Sequence, residues 1–273
     1  MKTARKILIG LIALLMVFTF AGCGNNSDQG ANEKAPAEET QTTKGIVKEN
    51  IKVGVIHIGD PADGFGYTYA HDQGIIGMQK NIGLSDNQIV RKLNVPDNDT
   101  AAIKEAIEDC IAQGCNIIFG TSYGYMDTMA ELAAEYPEVY FSHGTGYKSN
   151  DTNFNNYFGR IYQARYLSGI AAGLKTETNK IGYVAAYGTE LAETCSGINA
   201  FALGVQAVNP DAVVYVKTLN SWLDPVNETA YAEALIAMGC DVIAQHCDTA
   251  NPQIAAENAG VFGCGYNSDM TAA

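Results

Sequence analysis

The chain lacks several short motifs that mark large enzyme classes. It contains no HExxH zinc motif, no Walker phosphate loop and no GxGxxG dinucleotide fingerprint. No CxxC pair is present either, and the four histidines are scattered along the sequence. These absences remove the usual sequence arguments for a metalloprotease, a nucleoside triphosphatase or a dehydrogenase. We therefore predict a protein that is not an enzyme, needs no cofactor and has no metal site.

Basic residues are also scarce. The chain has 17 Lys and Arg against 30 Asp and Glu, a formal net charge of −13. A protein this acidic does not carry the positive surface that nucleic acid requires, and an anionic lipid surface would repel it. We therefore expect no nucleic-acid partner.

Cysteines are few and widely spaced. Six of them follow residue 100, mostly in apolar surroundings that are typical of buried thiols rather than of a disulfide framework. They are Cys110, Cys115, Cys195, Cys240, Cys247 and Cys264.

A long hydrophobic run occurs at the N-terminus. Lys2, Arg5 and Lys6 precede the apolar run Ile7–Phe20, and two small residues then lead to Cys23. This layout is typical of a secretory signal, and the run is shorter than the ~20 residues of a membrane-spanning helix. We interpret residues 1–23 as a lipoprotein signal that leaves Cys23 for lipid attachment, although Phe20 stands where Leu is usual. An ordinary cleaved signal with a chance cysteine is the alternative.

Residues 24–50 have a different composition from the rest of the chain. They contain no aromatic residue, and Ile46 and Val47 are their large aliphatics. Such a stretch buries too little apolar surface to offset its ordering entropy. We predict a flexible tether that joins a lipid on the extracytoplasmic face of the cell membrane to a folded body.

From Ile51 onward, short aliphatic runs alternate with segments of helical period. Alternation of this kind predicts an α/β fold with parallel sheets covered by helices. The pattern restarts after the polar stretch Lys148–Asn156. We therefore predict an N-terminal lobe over residues 51–155, a C-terminal lobe over 156–263, and the start of a return crossover over 264–273.

The segments that follow the predicted strands are rich in aromatic, hydroxyl and carboxylate side chains. Ligands of doubly wound sheets bind at the carboxyl ends of the strands, so these segments are expected to form one site. Aromatic faces stack on flat rings, and Asp, Ser and Asn orient polar edges. This combination favours a planar ring, with or without a sugar. A weaker reading gives His246 and Asp248 an acid–base role in hydrolysis.

Several blocks of the sequence resemble one family. Residues 158–174 resemble the interlobe helix of the basic membrane protein (BMP, PnrA-like) family of nucleoside-importer lipoproteins, and further blocks between Ile51 and Met270 resemble that family in the same order. The resemblance implies a type I periplasmic-binding-protein fold whose two lobes close on a purine nucleoside or base. It also implies an ABC permease as the membrane partner.

The resemblance assigns roles to seven residues of this chain. Tyr67 and Trp222 match the positions that sandwich the purine, and Ser122 with Tyr123 match the first-lobe side. Asp248, Asn267 and Asp269 match polar positions near the ring edge or the ribose. The family usually has Asp at the position of Asn267, which puts the sugar contact in doubt and shifts weight toward a free base. Family members also continue beyond the length of this chain, which suggests a C-terminally truncated body.

The leading hypothesis is an extracytoplasmic solute-binding lipoprotein that captures a purine nucleoside or base and delivers it to an ABC importer. One alternative is a ligand sensor of the same fold that signals to a membrane partner. A surface nucleoside hydrolase is a third hypothesis, and another cargo such as a sugar remains open because fold does not fix function.

Overall fold

A computed structural model describes residues 45–271 of the chain. The predicted signal, Cys23 and most of the predicted tether lie outside these residues. Within the described range, no helix is both long and apolar enough to cross a membrane. Residues 45–271 fall within one compact unit.

Nine strands and seven α-helices alternate along the described part of the chain. The strands are β1 (Val53–His57), β2 (Ile89–Lys92), β3 (Ile117–Thr121), β4 (Tyr140–Gly144), β5 (Phe154–Tyr157), β6 (Lys180–Ala185), β7 (Val213–Thr218), β8 (Val242–His246) and β9 (Phe262–Cys264). The helices are α1 (Gly66–Ile82), α2 (Thr100–Ala112), α3 (Met126–Glu135), α4 (Ile161–Lys175), α5 (Ala192–Val208), α6 (Pro225–Ala237) and α7 (Asn251–Asn258).

The strands form two parallel sheets, one in each lobe. The first has the order β2-β1-β3-β4-β5 and the second the order β7-β6-β8-β9. In the first sheet, Val53 of β1 pairs with Ile89 on one side and Ile117 on the other. Central strands β1 and β8 are buried along their whole length, as expected where helices cover both faces. The predicted α/β fold with two parallel-sheet lobes is confirmed.

Strand β5 lies within a stretch that the composition marked as polar. Phe154 and Asn155 pair with Phe141 and Ser142 of β4, so β5 extends the first sheet. Strand β5 lies at the edge of the sheet, and Phe154 is its one buried residue. The other three residues of the strand are half-buried or exposed. One buried residue in four is too weak a pattern to predict a strand from sequence.

Two helices of the second lobe pack unusually close together. A Cβ at Gly169 of α4 would lie 2.1 Å from the carbonyl oxygen of Phe201, and one at Gly204 of α5 would lie 2.1 Å from that of Tyr166. The missing side chains therefore let the two helix backbones touch. This packing fixes the N-terminal turns of both helices beside the end of β8.

Candidate functional site

A cavity lies between the two lobes, at the carboxyl ends of their strands. About 240 Å³ of space free of atoms lies between its walls, part of it open to solvent. The residues that line it are Tyr67, Ser122, Tyr123, Thr145, Glu193, Trp222, Asp248 and Tyr266. The predicted location, at the strand ends where two α/β units meet, is therefore where the structure places a cavity.

The seven candidate ligand residues divide into two groups. Tyr67, Ser122, Tyr123, Trp222 and Asp248 line the cavity. The structure does not bring the remaining pair to it.

Asn267 and Asp269 lie beyond β9, away from the cavity. Asn267 lines a different hollow beside His71 and Tyr157, and its side-chain nitrogen has no hydrogen-bond partner there. Asp269 is exposed, and its carboxylate accepts bonds from the amide and hydroxyl of Thr271 at 3.0 and 2.6 Å. Their assigned contacts with a ligand edge or ribose stay predictions.

The first-lobe wall is built on the loop after β3. The Ser122 hydroxyl donates to Asp97 Oδ2 at 2.7 Å, while His143 Nε2 donates to the Ser122 carbonyl oxygen at 2.7 Å. Burial lowers the pKa of His143, which favours a neutral ring. Both contacts hold the Ser122–Tyr123 backbone against the lobe, so that the loop presents a fixed surface to the cavity.

The same loop carries a GxSxG pattern, from Gly120 to Gly124. This spacing is typical of the nucleophile elbow of hydrolases, in which a strained serine sits beside a histidine. Here Ser122 has an ordinary extended backbone, with φ −152° and ψ 147°. The nearby His143 contacts its carbonyl oxygen and not its hydroxyl. Ser122 and His143 therefore do not form a Ser–His pair in the described structure.

The second-lobe wall is built on the loops after β7 and β8. The Asp248 amide donates to the Trp222 carbonyl oxygen at 3.0 Å, which ties the two loops together. Buried Glu228 accepts from the Thr249 amide at 3.3 Å, and Gln245 Nε2 donates to the Thr249 carbonyl oxygen at 2.6 Å. These bonds from α6 and β8 fix the loop that carries Asp248.

Trp222 is largely buried, with 8% of its surface exposed. Its ring meets that of Tyr187 edge-on, with centroids 5.2 Å apart and an interplanar angle of 65°. This contact holds the indole in a fixed orientation at the cavity wall. Tyr67 lies on the opposite lobe, and its buried hydroxyl has no hydrogen-bond partner in the described structure.

Three lining residues were not among the candidates. Thr145 and Tyr266 lie in loops that follow strands, and the sequence predicted that such loops form the site. Which residues of a loop face the cavity depends on the direction of their side chains, which the sequence does not show. Glu193 lies one residue into α5, several positions after β6 ends. A carboxylate in the first turn of a helix is common, because it interacts favourably with the helix dipole, so this position gave no distinct signal.

Two carboxyl groups of the cavity have raised pKa values. Burial, reinforced by Glu228 and other nearby acids, raises the pKa of Asp248 well above its usual range. Burial also raises the pKa of Glu193 to about 7, against the opposing pull of the Arg165 charge. The acidic residues therefore bring much less than two full negative charges to the cavity at neutral pH.

The two lobes touch beside the cavity at the start of α1. The Tyr67 amide donates to the Asp248 carbonyl oxygen at 3.3 Å, and the Gly66 amide donates to the Ser268 hydroxyl at 2.7 Å. A Cβ on Gly66 would lie 2.1 Å from the Asp248 carbonyl oxygen. Gly66 also has φ +86°, which glycine adopts without strain. The lobe contact therefore depends on a glycine at this position.

The lining side chains indicate what this cavity can bind. Four aromatic rings supply flat apolar contacts, and two hydroxyls and two carboxyls supply hydrogen bonds. The lining set contains no Lys or Arg, so it offers no cationic partner for a phosphate or carboxylate. In the described residues, no three His, Cys, Asp or Glu side chains are grouped so as to hold a metal ion.

A family model matches residues 51–272, nearly the whole of the predicted body. That model describes PnrA-like ABC transporter substrate-binding proteins under the name Bmp. The chain belongs to the Bmp family. This confirms the family resemblance and the general class of ABC transporter substrate-binding proteins.

Relatives of this Bmp protein differ in the ligand that their names give. One, from Haloferax volcanii, bears a name that assigns it to ABC transport as a glucose-binding protein, and is 36% identical over 97% of this chain and 70% of its own length. Another, a purine-binding protein from Brucella abortus, is 39% identical over 82% of this chain and 62% of its own length. The match thus spans about two thirds of these relatives.

Solved structures agree on the fold. An ABC transporter solute-binding protein from Aeropyrum pernix superposes on this Bmp protein with a TM-score of 0.66. The superposition covers 79% of this chain and 61% of the other, at 18% sequence identity. At that identity the likeness concerns the fold and not the ligand.

Proposed function

We propose that this Bmp protein captures a purine nucleoside or a free purine base in the interlobe cavity and hands it to an ABC importer. The observation that carries this proposal is the placement of aromatic side chains from both lobes, Tyr67 and Trp222, on one cavity. Rings on opposite lobes can stack on both faces of a flat heterocycle when the lobes close. The purine-binding relative from Brucella supports the same ligand class.

The capture mechanism follows from the lobe contact at Gly66. Closure forms the hydrogen bonds from Gly66 and Tyr67 to Ser268 and Asp248, and it removes the ligand from water. A ligand that touches both lobes stabilises this closed arrangement and shifts the equilibrium between open and closed forms. Release then requires those same few bonds to break at the permease.

A sugar is the second candidate ligand, because the Haloferax relative has a glucose-binding name. An indole face with nearby carboxyl groups can also bind a pyranose, so the two ligand classes need a direct comparison. Calorimetric titration of the protein with adenine, adenosine, guanosine and inosine, beside glucose and ribose, makes that comparison. We expect saturable binding of at least one purine and none of either sugar. Saturable binding of glucose alone would contradict purine capture and would favour a role in sugar import.

We further propose that Cys23 carries a lipid that anchors the protein on the extracytoplasmic face of the cell membrane. The basic head, the short apolar run and the small residues before Cys23 support this. Metabolic labelling with a fatty acid tests it, with Cys23→Ser as the variant and Cys195→Ser as the matched control. Label should be lost in Cys23→Ser and retained in Cys195→Ser. Equal labelling of both variants would contradict lipid attachment at Cys23.

A further inference from the structure

Glu193 lines the cavity and has one unpaired carboxylate oxygen among the described residues. Its residue is 8% exposed, and its Oε2 atom is buried without a hydrogen-bond partner in the described structure. Its other oxygen, Oε1, lies 3.4 Å from His246 Nε2. An unpaired polar atom in such a position is costly unless a ligand or water completes its bonding.

The neighbouring imidazole determines how this carboxyl group is oriented. His246 is fully buried, and burial together with the Arg165 charge lowers its pKa well below the usual range, so the ring is neutral. Its Nδ1 has no hydrogen-bond partner in the part of the chain that the structure describes. A neutral ring with hydrogen on Nε2 donates to Glu193 Oε1 and leaves no buried N–H unpaired, which favours this tautomer. Oε2 then remains as a free acceptor.

The second lobe holds this pair in place from two further sides. A Cβ on Gly197 of α5 would lie 2.9 Å from His246 Nδ1, so the glycine provides room for the ring. Arg165 of α4 donates to the Gln245 carbonyl oxygen and covers the ring of Tyr266, with its guanidinium carbon 3.9 Å from the ring centroid. Within the described residues, Nε and Nη2 of Arg165 have no hydrogen-bond partner, and Arg165 acts on Glu193 through its charge without a direct ion pair.

Groups from several elements surround the Glu193 carboxyl. Arg165 favours its ionised form, while burial opposes ionisation. Asp248 also faces it, and burial raises the pKa of Asp248 well above its usual range. The other ionisable groups that face it are His246, Tyr67, Tyr123 and Tyr266. The imidazole is neutral and the phenols are un-ionised near neutral pH. Glu193 is therefore the group of this set whose charge changes there, because its pKa is about 7.

We infer that Glu193 is a specificity-determining residue, whose Oε2 accepts a hydrogen bond from an N–H group on the edge of the bound ring. This inference rests on the proposed purine function and sharpens it. Purines carry such donors as an exocyclic amine or a ring N–H, and a carboxylate is the stronger acceptor for them. A ligand without that donor would leave the buried oxygen unpaired, and such mismatches are strongly rejected.

The acceptor role sets the direction of the pH dependence. The bond requires ionised Glu193, so affinity should be full above pH 7 and should fall as pH decreases below it. Between pH 8 and pH 6, we expect about a tenfold loss of affinity in the wild type. If the carboxylic acid donated to a ring nitrogen instead, affinity would rise over the same interval.

The test is a titration cycle on the full protein. Calorimetry compares wild type, Glu193→Gln and the control Glu190→Gln, an exposed glutamate three residues earlier, at pH 6 and pH 8. The ligands are adenosine with its N6,N6-dimethyl derivative, and inosine with its 1-methyl derivative. In each derivative the donor on the base is blocked. Circular dichroism checks that all three proteins are folded.

We expect Glu193→Gln to bind its purine at least tenfold more weakly at pH 8 and to lose most of the pH dependence. Methylation should weaken binding to wild type and Glu190→Gln by a larger factor than to Glu193→Gln. Equal methylation factors, or an affinity that rises toward pH 6, would overturn the assignment while leaving purine capture intact. If wild type binds no purine at either pH, the proposed function fails and this assignment fails with it.

Discussion

Each lobe contains a buried histidine paired with a carboxylate, and the two pairs differ in what their remaining atoms contact. In the first lobe, His57 Nε2 lies 3.3 Å from Asp72 Oδ1, and His57 Nδ1 lies 2.9 Å from the Thr121 hydroxyl. The same Asp72 oxygen accepts from Arg91 Nε at 2.6 Å. In the second lobe, the pair of His246 and Glu193 leaves Nδ1 and Oε2 without partners among residues 45–271.

On the proposal for Glu193, this difference separates a structural pair from a functional one. The first pair joins β1, α1 and β2 and satisfies both ring nitrogens inside the lobe. The second pair borders the cavity, and within the described residues one of its carboxylate oxygens has no bond. If the proposed role of Glu193 holds, a histidine–carboxylate pair serves stability in one lobe and ligand recognition in the other. Unfolding experiments and ligand titrations can distinguish these two roles.

The largest expected effect is on stability in the first lobe. Asp72→Asn removes the charge that pairs with Arg91 and the carboxylate in contact with the ring of His57, whose pKa is lowered by burial. We expect the free energy of unfolding to fall by about 4 kcal/mol. The matched change Glu193→Gln should not lower the free energy of unfolding at pH 8. Burial disfavours the ionised form of Glu193, so replacing it with a neutral amide removes no stabilising charge. Urea denaturation of both variants measures this. Equal destabilisation by the two would contradict the comparison.

The second effect is the pH dependence of stability that Glu193 contributes. Its pKa is about 7 in the folded protein, against 4.5 for an ordinary glutamate, so the folded form keeps a proton that the unfolded form loses. The associated stability is complete below pH 4.5 and is lost as pH rises through 7, a total of about 3 kcal/mol. Asp248 and Glu228 act with the same sign and remain in Glu193→Gln.

Urea denaturation of ligand-free protein from pH 4.5 to pH 8 tests this contribution. The wild type should lose more stability over that interval than Glu193→Gln does. Parallel curves for the two proteins would show that Glu193 titrates in its ordinary range.

A third prediction concerns the contact that brings the two lobes together. Gly66→Ala places a Cβ against the Asp248 carbonyl oxygen, so closure should be impaired and purine affinity should fall about a hundredfold, or roughly 2.7 kcal/mol. Gly64→Ala is the matched control, because Gly64 has a similar φ of +84° but nothing within 4 Å of its Cβ position. Calorimetry should show the loss in Gly66→Ala alone; equal losses would attribute it to backbone strain.

The smallest expected effect compares the aromatic walls of the two lobes. Trp222→Ala should weaken purine binding by about 2 kcal/mol, and Tyr67→Ala by about 1 kcal/mol, because the indole offers the larger stacking face. Tyr140→Ala, at the opposite end of the first sheet, is the control. An unchanged dissociation constant in Trp222→Ala would remove this residue from the site.

Much of the fold followed from sequence because alternating aliphatic strands and helices are a strong pattern. Strand β5 was missed since Phe154 is its one fully buried residue. The start of α2 is a further detail that residue type alone does not fix. Asp99 accepts from the amides of Ala101 and Ala102, and Thr100 is already helical. Asp and Thr are both favoured at a cap position, so the sequence does not choose between these neighbours.

The candidate site was predictable to the level of loops. Topology alone brings the segments after β1, β3, β7 and β8 together, which is why Tyr67, Ser122, Tyr123, Trp222 and Asp248 border one cavity. The sequence could not show that Asn267 faces a different hollow or that Glu193 turns inward. Those directions depend on how α4 and α5 pack, on the positive φ of Asn267, and on the room that Gly197 leaves for His246.

Trp222 is the chain's single tryptophan, so its fluorescence reports directly on the interlobe cavity. The most direct measurement is therefore a fluorescence titration of the full protein with adenine, adenosine, inosine, glucose and ribose. We predict a saturable change with at least one purine and no change with either sugar. A saturable change with glucose alone, or no change with any purine in a folded protein, would contradict purine capture between the lobes.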